Sequence, residues 1–290
     1  MATIEQDFAP PEPGLSQRLR RVFFGRTATV IATITVALFI FVAAFAPWLA
    51  PYDPMAQSFI SINKPPSWEH WLGTDQFGRD VLSRMIWGSR NSLIFGFLSP
   101  VLAALIGGTL GVLSGYFGGI LDRIVTRLVD MLLSFPELLL AILVAAALGG
   151  GFWNVVAVLT VAFTPGFARV ARATTLSVKQ EPYIESAIAA GVRTPVIILR
   201  HVVPNIMAPI VVLMTLWAAS SIRLEATLSF LGIGTQPPAP SWGNIIREGL
   251  ANIFATSWPI IAGGLAITIV VLAISIIGDQ VRDELDPEIN

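Results

Sequence analysis

Apolar residues gather along this chain in six long stretches, at about 27–49, 92–115, 130–149, 153–173, 205–222 and 257–278. A helix rises 1.5 Å per residue, so about 20 residues cross a hydrocarbon core of roughly 30 Å, and each stretch is close to that length. The joints between them are charged or rich in turn formers: Tyr116-Phe117-Gly118-Gly119, Gly149-Gly150-Gly151, the polar segment 174–204 and the Gly/Pro-rich segment 231–244. The pattern predicts an all-α integral membrane protein with six transmembrane helices. It divides the chain into an N-terminal tail 1–26, a first span 27–49, a segment 50–91, a five-span core 92–278 and a C-terminal tail 279–290.

Within the tail, residues 1–17 mix Pro, Gly and acidic side chains without periodicity and read as mobile. Arg18, Arg20, Arg21 and Arg26 then flank the first apolar run, which is long and ends at Pro47-Trp48 without a small-residue cleavage pattern. That reads as a retained span rather than a leader.

Composition fixes the solvent. The 290 residues are 54% hydrophobic and 13% charged, against about 25% charged in a soluble domain. A net charge of -1 supplies no concentrated basic surface for nucleic acid. The absence of cysteine excludes a disulfide scaffold, thiolate metal sites and thiol catalysis, and two histidines, His70 and His201, argue against zinc chemistry. Of the 18 Lys and Arg residues, 12 fall in the tail, 116–130, 169–204 and the C-terminus, and 6 fall in the other segments. By the positive-inside rule both termini and 174–204 are cytoplasmic, and 50–91 and 223–256 are external.

Several span residues have two readings. Glu137, beside Pro136, is an interfacial or packing residue near the cytoplasmic side, or else a proton-relay carboxylate. Pro100, Pro136, Pro165, Pro209 and Pro259 remove helix hydrogen bonds and predict kinks or interruptions. Gly107, Gly108, Gly111 and Gly115 form a small-residue stripe that lets another backbone come close, in this chain or another subunit.

Inside 174–204 the residues Tyr183–Ala190 can form a short helix. Pro182 suits its first turn, Ile184, Ala187 and Ile188 make an apolar face, and Gly191 terminates it. So short a helix is unstable alone in water and needs a protein surface to rest on.

Four motifs are specific. Glu185-Ser186-Ala187, Gly191 and Pro204 stand at the spacing Glu-Ala-Ala, three residues, Gly, nine residues, Ile-x-Leu-Pro, with His201 and Val203 in place of Ile and Leu. The run from His70 through Leu72-Gly73-Thr74-Asp75, Gly78-Arg79-Asp80 and Ser83-Arg84 is a second. The third runs from Glu225 through Leu228-Ser229-Phe230-Leu231-Gly232 to Pro240-Ser241-Trp242-Gly243, and the fourth is Gly278-Asp279, Arg282-Asp283 and Leu285-Asp286-Pro287. On these motifs, from about residue 20 to the end, the chain resembles the inner-membrane permeases of ATP-binding-cassette importers, in particular the second permease of the dipeptide/oligopeptide class.

The resemblance implies a bacterial or archaeal cytoplasmic membrane protein in which 174–204 carries a cytoplasmic coupling helix and the external segments carry loop helices. It implies a companion permease, two non-identical cytoplasmic ATPases, an extracytoplasmic substrate-binding protein, and half of a translocation pathway from this chain. No GxxxxGK[ST] loop is present, so ATP and magnesium belong to the ATPases, and this chain is no enzyme and needs no cofactor or metal of its own. Tyr183, Ile184, Glu185, Ser186, Ala187, Ile188 and Gly191 are the implied ATPase-coupling residues. Asp75, Gly78, Arg79 and Asp80 are either turn caps with a local ion pair or an external docking or gating element. Glu225 and Phe230 belong to a short external or re-entrant helix over 219–234, or to pore closure. His201 reads as an interfacial basic residue rather than a catalyst.

Dipeptides or short oligopeptides are the implied substrates, with glutathione and nickel complexes as alternatives. A secondary transporter would need paired ionisable groups at the membrane midplane, and a scaffold would have the same spans without transport. Activity of this chain alone on an ion gradient, against substrate-dependent ATP turnover by a complete complex, separates these classes.

Overall fold

The computed structural model describes residues 21–285. The expected mobile tail over 1–17 and the Asp286-Pro287 part of the C-terminal motif lie outside the described residues. The helices are α1 (Thr27–Ala44), α2 (Ala46–Leu49), α3 (Val81–Phe117), α4 (Gly119–Leu133), α5 (Glu137–Leu148), α6 (Phe152–Lys179), α7 (Pro182–Ala189), α8 (Thr194–Ile197), α9 (Val203–Phe230), α10 (Trp242–Leu250) and α11 (Trp258–Leu285). A π-helical turn, Ile198–Val202, joins α8 to α9. Among the described residues the only β pairing is one isolated bridge, Thr74 with Asp80.

Five helical stretches are long and apolar enough to cross a membrane: α1, α3, α6, Thr194–Phe230 and α11. The sixth crossing, expected as one run over 130–149, is instead α4 followed by α5 with a 99° bend. Pro136 cannot donate to the preceding turn and disfavours helix at Phe135, so the chain turns at Ser134 to Pro136. Glu137 is the first residue of α5, just past the break.

Helix ends also move. α3 begins at Val81 rather than 92, α9 continues to Phe230 rather than 222, and α11 continues through 279 to Leu285, so the expected short helix over 219–234 is the last part of a long one. Ser83, Arg84 and Ser89 in the first of these stretches, Glu225 and Ser229 in the second and Gln280 in the third are buried against protein, so hydropathy alone ends the helices early.

The centre of the bundle is the pair α3 and α6. A Cβ on Gly107 would lie 2.4 Å from Thr164 O, one on Gly111 2.4 Å from Ala168 O, and one on Gly115 3.0 Å from Arg172 O. Both residue numbers rise together, so the helices run parallel with their backbones in contact, and the glycine stripe has its partner within the chain. α9 packs antiparallel to α3, with Ser221 Oγ donating to Phe95 O at 2.7 Å and Gly96 against Ile222. α11 packs antiparallel to α9, Gly278 against Thr215. α4 lays Val125 and Val129 on Ala168 and satisfies its acids with α6: Asp122 accepts from Arg172 at 2.5 and 2.7 Å, and Asp130 from Arg169 at 2.8 Å.

Two unlike ends result. At one, Arg26 pairs with Asp283 at 3.2 Å, bringing the start of α1 beside the end of α11, and Lys179 Nζ donates to Tyr116 O at 2.8 Å, tying the end of α6 to that of α3. Here the chain forms α7. At the other, 50–80 and 231–257 form a cap around α10. Trp242 is buried there, edge-on to Phe39 of α1 at 5.7 Å and donating to Met85 O of α3 at 3.2 Å.

The cap is held by buried charge. Arg79 Nε donates to Asp75 at 2.6 Å, Arg84 lies 3.5 Å from Asp75 and 3.0 Å from Glu248, and Arg79 also binds Glu248. Asp80 caps α3, accepting from Ser83 N and Oγ at 2.7 Å each, while its other oxygen meets His70 Nδ1 at 2.9 Å.

Two predictions follow from this packing. In detergent, Gly111→Ala, with its Cβ 2.7 Å from Ala171 Cβ, lowers thermal stability by about 1–3 kcal/mol. Gly108→Ala, facing open space, is neutral or stabilising by up to about 1 kcal/mol; equal effects of the two would refute the close α3–α6 contact. Glu248→Ala leaves two buried guanidinium groups sharing Asp75 alone and costs about 3–5 kcal/mol, read as loss of monodisperse protein on size exclusion.

Candidate functional site

The chain leaves α6 at Lys179 and turns through Gln180 and Glu181, with Glu181 N donating to Val178 O at 3.1 Å. Pro182 then opens α7 at the first helical position, where no intrahelical donor is needed. The helix begins one residue before the expected Tyr183 and ends one before Ala190. Its end is a Schellman turn: Gly191 N donates to Ile188 O at 3.0 Å and Val192 N to Ala187 O at 3.1 Å, with Gly191 at φ +76°. Space around that glycine is open, so its requirement is backbone conformation and not room.

One face of α7 is keyed into the bundle. Ile184 is fully buried in the apolar cluster that contains Val178 of α6, Ile197 of α8, and Val202 and Ile206 at the start of α9, and Ala187 packs partly against it. Ile188, expected on the same face, is 50% exposed. The surface beneath α7 receives one turn of the helix, and the second turn stands clear of it. Tyr183, Glu185, Ser186 and Gly191 are exposed as well. Glu185 makes no ion pair among the described residues.

The return path is equally tied. Asn205 donates to Tyr183 Oη at 3.3 Å and to His201 O at 2.6 Å, and the Tyr183 and His201 rings lie 6.0 Å apart. His201 makes no ion pair among the described residues and sits in the joint between α7 and α9. The result is a short helix with one buried anchor, an exposed face bearing Tyr183, Glu185 and Ile188, and rigid links to two spans.

The other sequence-derived residues fall elsewhere. Asp75, Gly78, Arg79 and Asp80 are all buried in the cap, Asp75, Arg79 and Asp80 spent on internal pairs and a helix cap, and Gly78 pressed against Ser58 O. Their side chains are engaged within the cap, and Arg79 also lines a cavity there. Glu225 is fully buried on α9 and accepts from Ser229 Oγ at 2.7 Å and Thr235 Oγ1 at 3.4 Å, so it pins the 231–235 turn back onto its own helix. Phe230, the last residue of α9, is 41% exposed. Sequence reasoning missed Glu248, the acid shared by Arg79 and Arg84, because its partners lie 169 and 164 positions away.

Comparison with known proteins agrees with this architecture. The family model described as binding-protein-dependent transport system inner membrane component matches residues 107–290, and the one described as N-terminal TM domain of oligopeptide transport permease C matches residues 14–66. Glutathione transport system permease protein GsiD of Pectobacterium atrosepticum is 42% identical over 272 residues, covering 93% of this chain and 90% of that protein. The protein of the same name from Escherichia coli is 42% identical over 276 residues, covering 94% and 89%. Inward-facing structures of the MetNI methionine ABC transporter share the fold, with a TM-score of 0.56 at 22% identity over 69% of this chain and 96% of theirs. The chain therefore belongs to the binding-protein-dependent inner-membrane permeases, as an ABC importer permease of the peptide class and the oligopeptide permease C type.

Proposed function

We propose that this chain forms half of the pathway of an ATP-driven importer of short peptides and that α7 is the element through which a cytoplasmic ATPase drives it. The observation that carries this reading is the division of α7 into a buried anchor, Ile184, and an exposed face with Tyr183, Glu185 and Ile188. A partner that grips the exposed face moves the anchor with it, and the anchor sits between the ends of α6 and α9. Without that anchor, the same motion would only bend a loop.

In this reading the α7 end is cytoplasmic, and so are both chain termini. The excess of basic residues at that end supports it, as does the Arg26–Asp283 pair that puts the first and last spans' ends together. The cap faces outward and receives substrate from a binding protein. A companion permease completes the pathway, and two ATPases, which hold ATP and magnesium, supply the work. Closure of the ATPases shifts α7, and α6 and α9 carry the shift into the bundle to change the side on which the pathway opens. Glu185 offers the partner a charge, and the Gly191 turn sets the angle at which the chain leaves it.

The substrate class is short peptides, with glutathione, a tripeptide, the first to test. Two relatives named for glutathione transport, alike over nearly the whole chain, favour it over dipeptides. The membrane pathway must pass charged groups through a low-dielectric layer without stripping them of partners, which suits a transient watery route better than a tight apolar pocket.

In the reconstituted complex, Gly191→Val forces an L side chain into left-handed backbone at a cost of about 1–2 kcal/mol. Uptake and substrate-stimulated ATP turnover fall together while the complex still assembles; unchanged stimulation would refute the coupling role. The chain has no cysteine, so single replacements report topology cleanly. Glu185→Cys is labelled only from the cytoplasm and cross-links to an ATPase, whereas Trp68→Cys, at a cap residue 96% exposed, is labelled from outside. The opposite labelling would overturn the orientation.

A further inference from the structure

Gln57, Gln76, Arg79, Pro238, Arg247 and Glu248 are among the residues around a cavity of about 480 Å³ in the cap, and one of the charges on it meets no acid. Its inner wall is electrically closed, because Arg79 and Arg84 meet Asp75 and Glu248, two cations against two acids. Arg247 is a second cation on the cavity, beside Arg79. It is exposed and makes no ion pair among the described residues.

The guanidinium of Arg247 is nonetheless seated. Its Cζ and both terminal nitrogens lie 3.0 to 3.1 Å from where a Cβ on Gly232 would stand, and Gly232 has φ +84°. A side chain at 232 would be strained and would push the guanidinium away, so the turn after α9 is shaped to carry it. Gln76 adds a donor: its Oε1 accepts from Asn252 Nδ2, which leaves its own amide hydrogens free. Gln57 is exposed on the rim.

A planar fork of N–H groups carrying one surplus positive charge, with neutral amide donors beside it, matches a single carboxylate. A polyanion would find only one uncompensated charge. A small-molecule site encloses most of its ligand, whereas Gln57, Phe77, Pro237, Pro238 and Arg247 are all exposed around this one. An open notch with proline and aromatic walls instead receives an anchor side chain presented by another protein surface.

We propose that Arg247, with Gln57 and Gln76, seats one acidic side chain of the extracytoplasmic binding protein as it docks on the cap. The proposal rests on the importer reading, in which the cap faces outward, and adds the residue that selects the partner. The buried cluster of Asp75, Arg79, Arg84 and Glu248 serves it as a rigid floor.

The test uses the complete transporter in lipid nanodiscs, with ATP turnover measured against the concentration of loaded binding protein. Arg247→Glu raises the half-saturating concentration about tenfold or more, the usual effect of losing a charged hydrogen bond. It also flattens the salt dependence of that concentration and leaves the saturated rate near that of the parent. Arg247→Lys, which keeps the charge, gives a smaller shift. Replacing one acidic residue on the binding protein's docking face by arginine restores the Arg247→Glu transporter. If Arg247→Glu assembles poorly, Arg247→Gln is read by the same two measures.

An unchanged half-saturating concentration and salt slope overturns the seat. So does a defect that follows the identity of a carboxylate-bearing substrate at fixed binding-protein occupancy, since the carboxylate would then be the cargo's. A parent complex that no loaded binding protein stimulates overturns the importer reading and the seat with it, whereas normal stimulation indifferent to Arg247 overturns the seat alone.

Discussion

Direct backbone contact between α3 and α6 is the constraint from which the remaining arrangement follows. Lipid gives two helices no hydrophobic reason to associate, so the contact must come from close packing. Gly107, Gly111 and Gly115 remove every side chain that would hold α6 away. With these two helices fixed parallel, the chain between them must cross back, and the broken α4–α5 unit makes that return. The end of α6 is then held beside Tyr116, and α7 starts from a fixed point. The glycine stripe thus positions α7, although it lies far from it in sequence.

Charge is placed by the same economy. Few ionisable groups are present, and the buried acids and arginines of the cap are paired or capped: Asp75 and Glu248 with Arg79 and Arg84, Asp80 with Ser83 and His70. Breaking a buried pair leaves a lone charge and is costly, so the cap behaves as one unit. The α7 surface is the reverse, with Glu185 left exposed and available. The buried cluster in the cap is internally satisfied, whereas the α7 surface has a charge to offer.

The features legible in the sequence are those that depend on local pattern. Length and hydropathy located the crossings, and Pro182, Ile184 and Gly191 located α7 to within one residue. Features that depend on distant partners were not legible. Helix ends at Val81 and Phe230 lie in polar stretches whose Ser83, Arg84, Glu225 and Ser229 are covered by protein, and the end at Leu285 lies in a polar stretch too. Pro136 marked an interruption, but a 99° turn depends on where α4 rests. Ile188 carries the periodicity of a buried residue and stays exposed because the bundle ends beneath it. The roles of Asp75 and Arg79 in the cap are not legible without Glu248, far along the chain, which completes their cluster.

The joint Ile198–Val202 has a further consequence. A π-helical turn holds one more residue per turn than the α-helix on either side, and such bulges are costly enough to be rare. Sliding that surplus residue along the axis would rotate everything beyond it by a fraction of a revolution without breaking the rod. The turn just ahead of α9 therefore fixes the rotational phase of that span relative to α8 and the α7 joint.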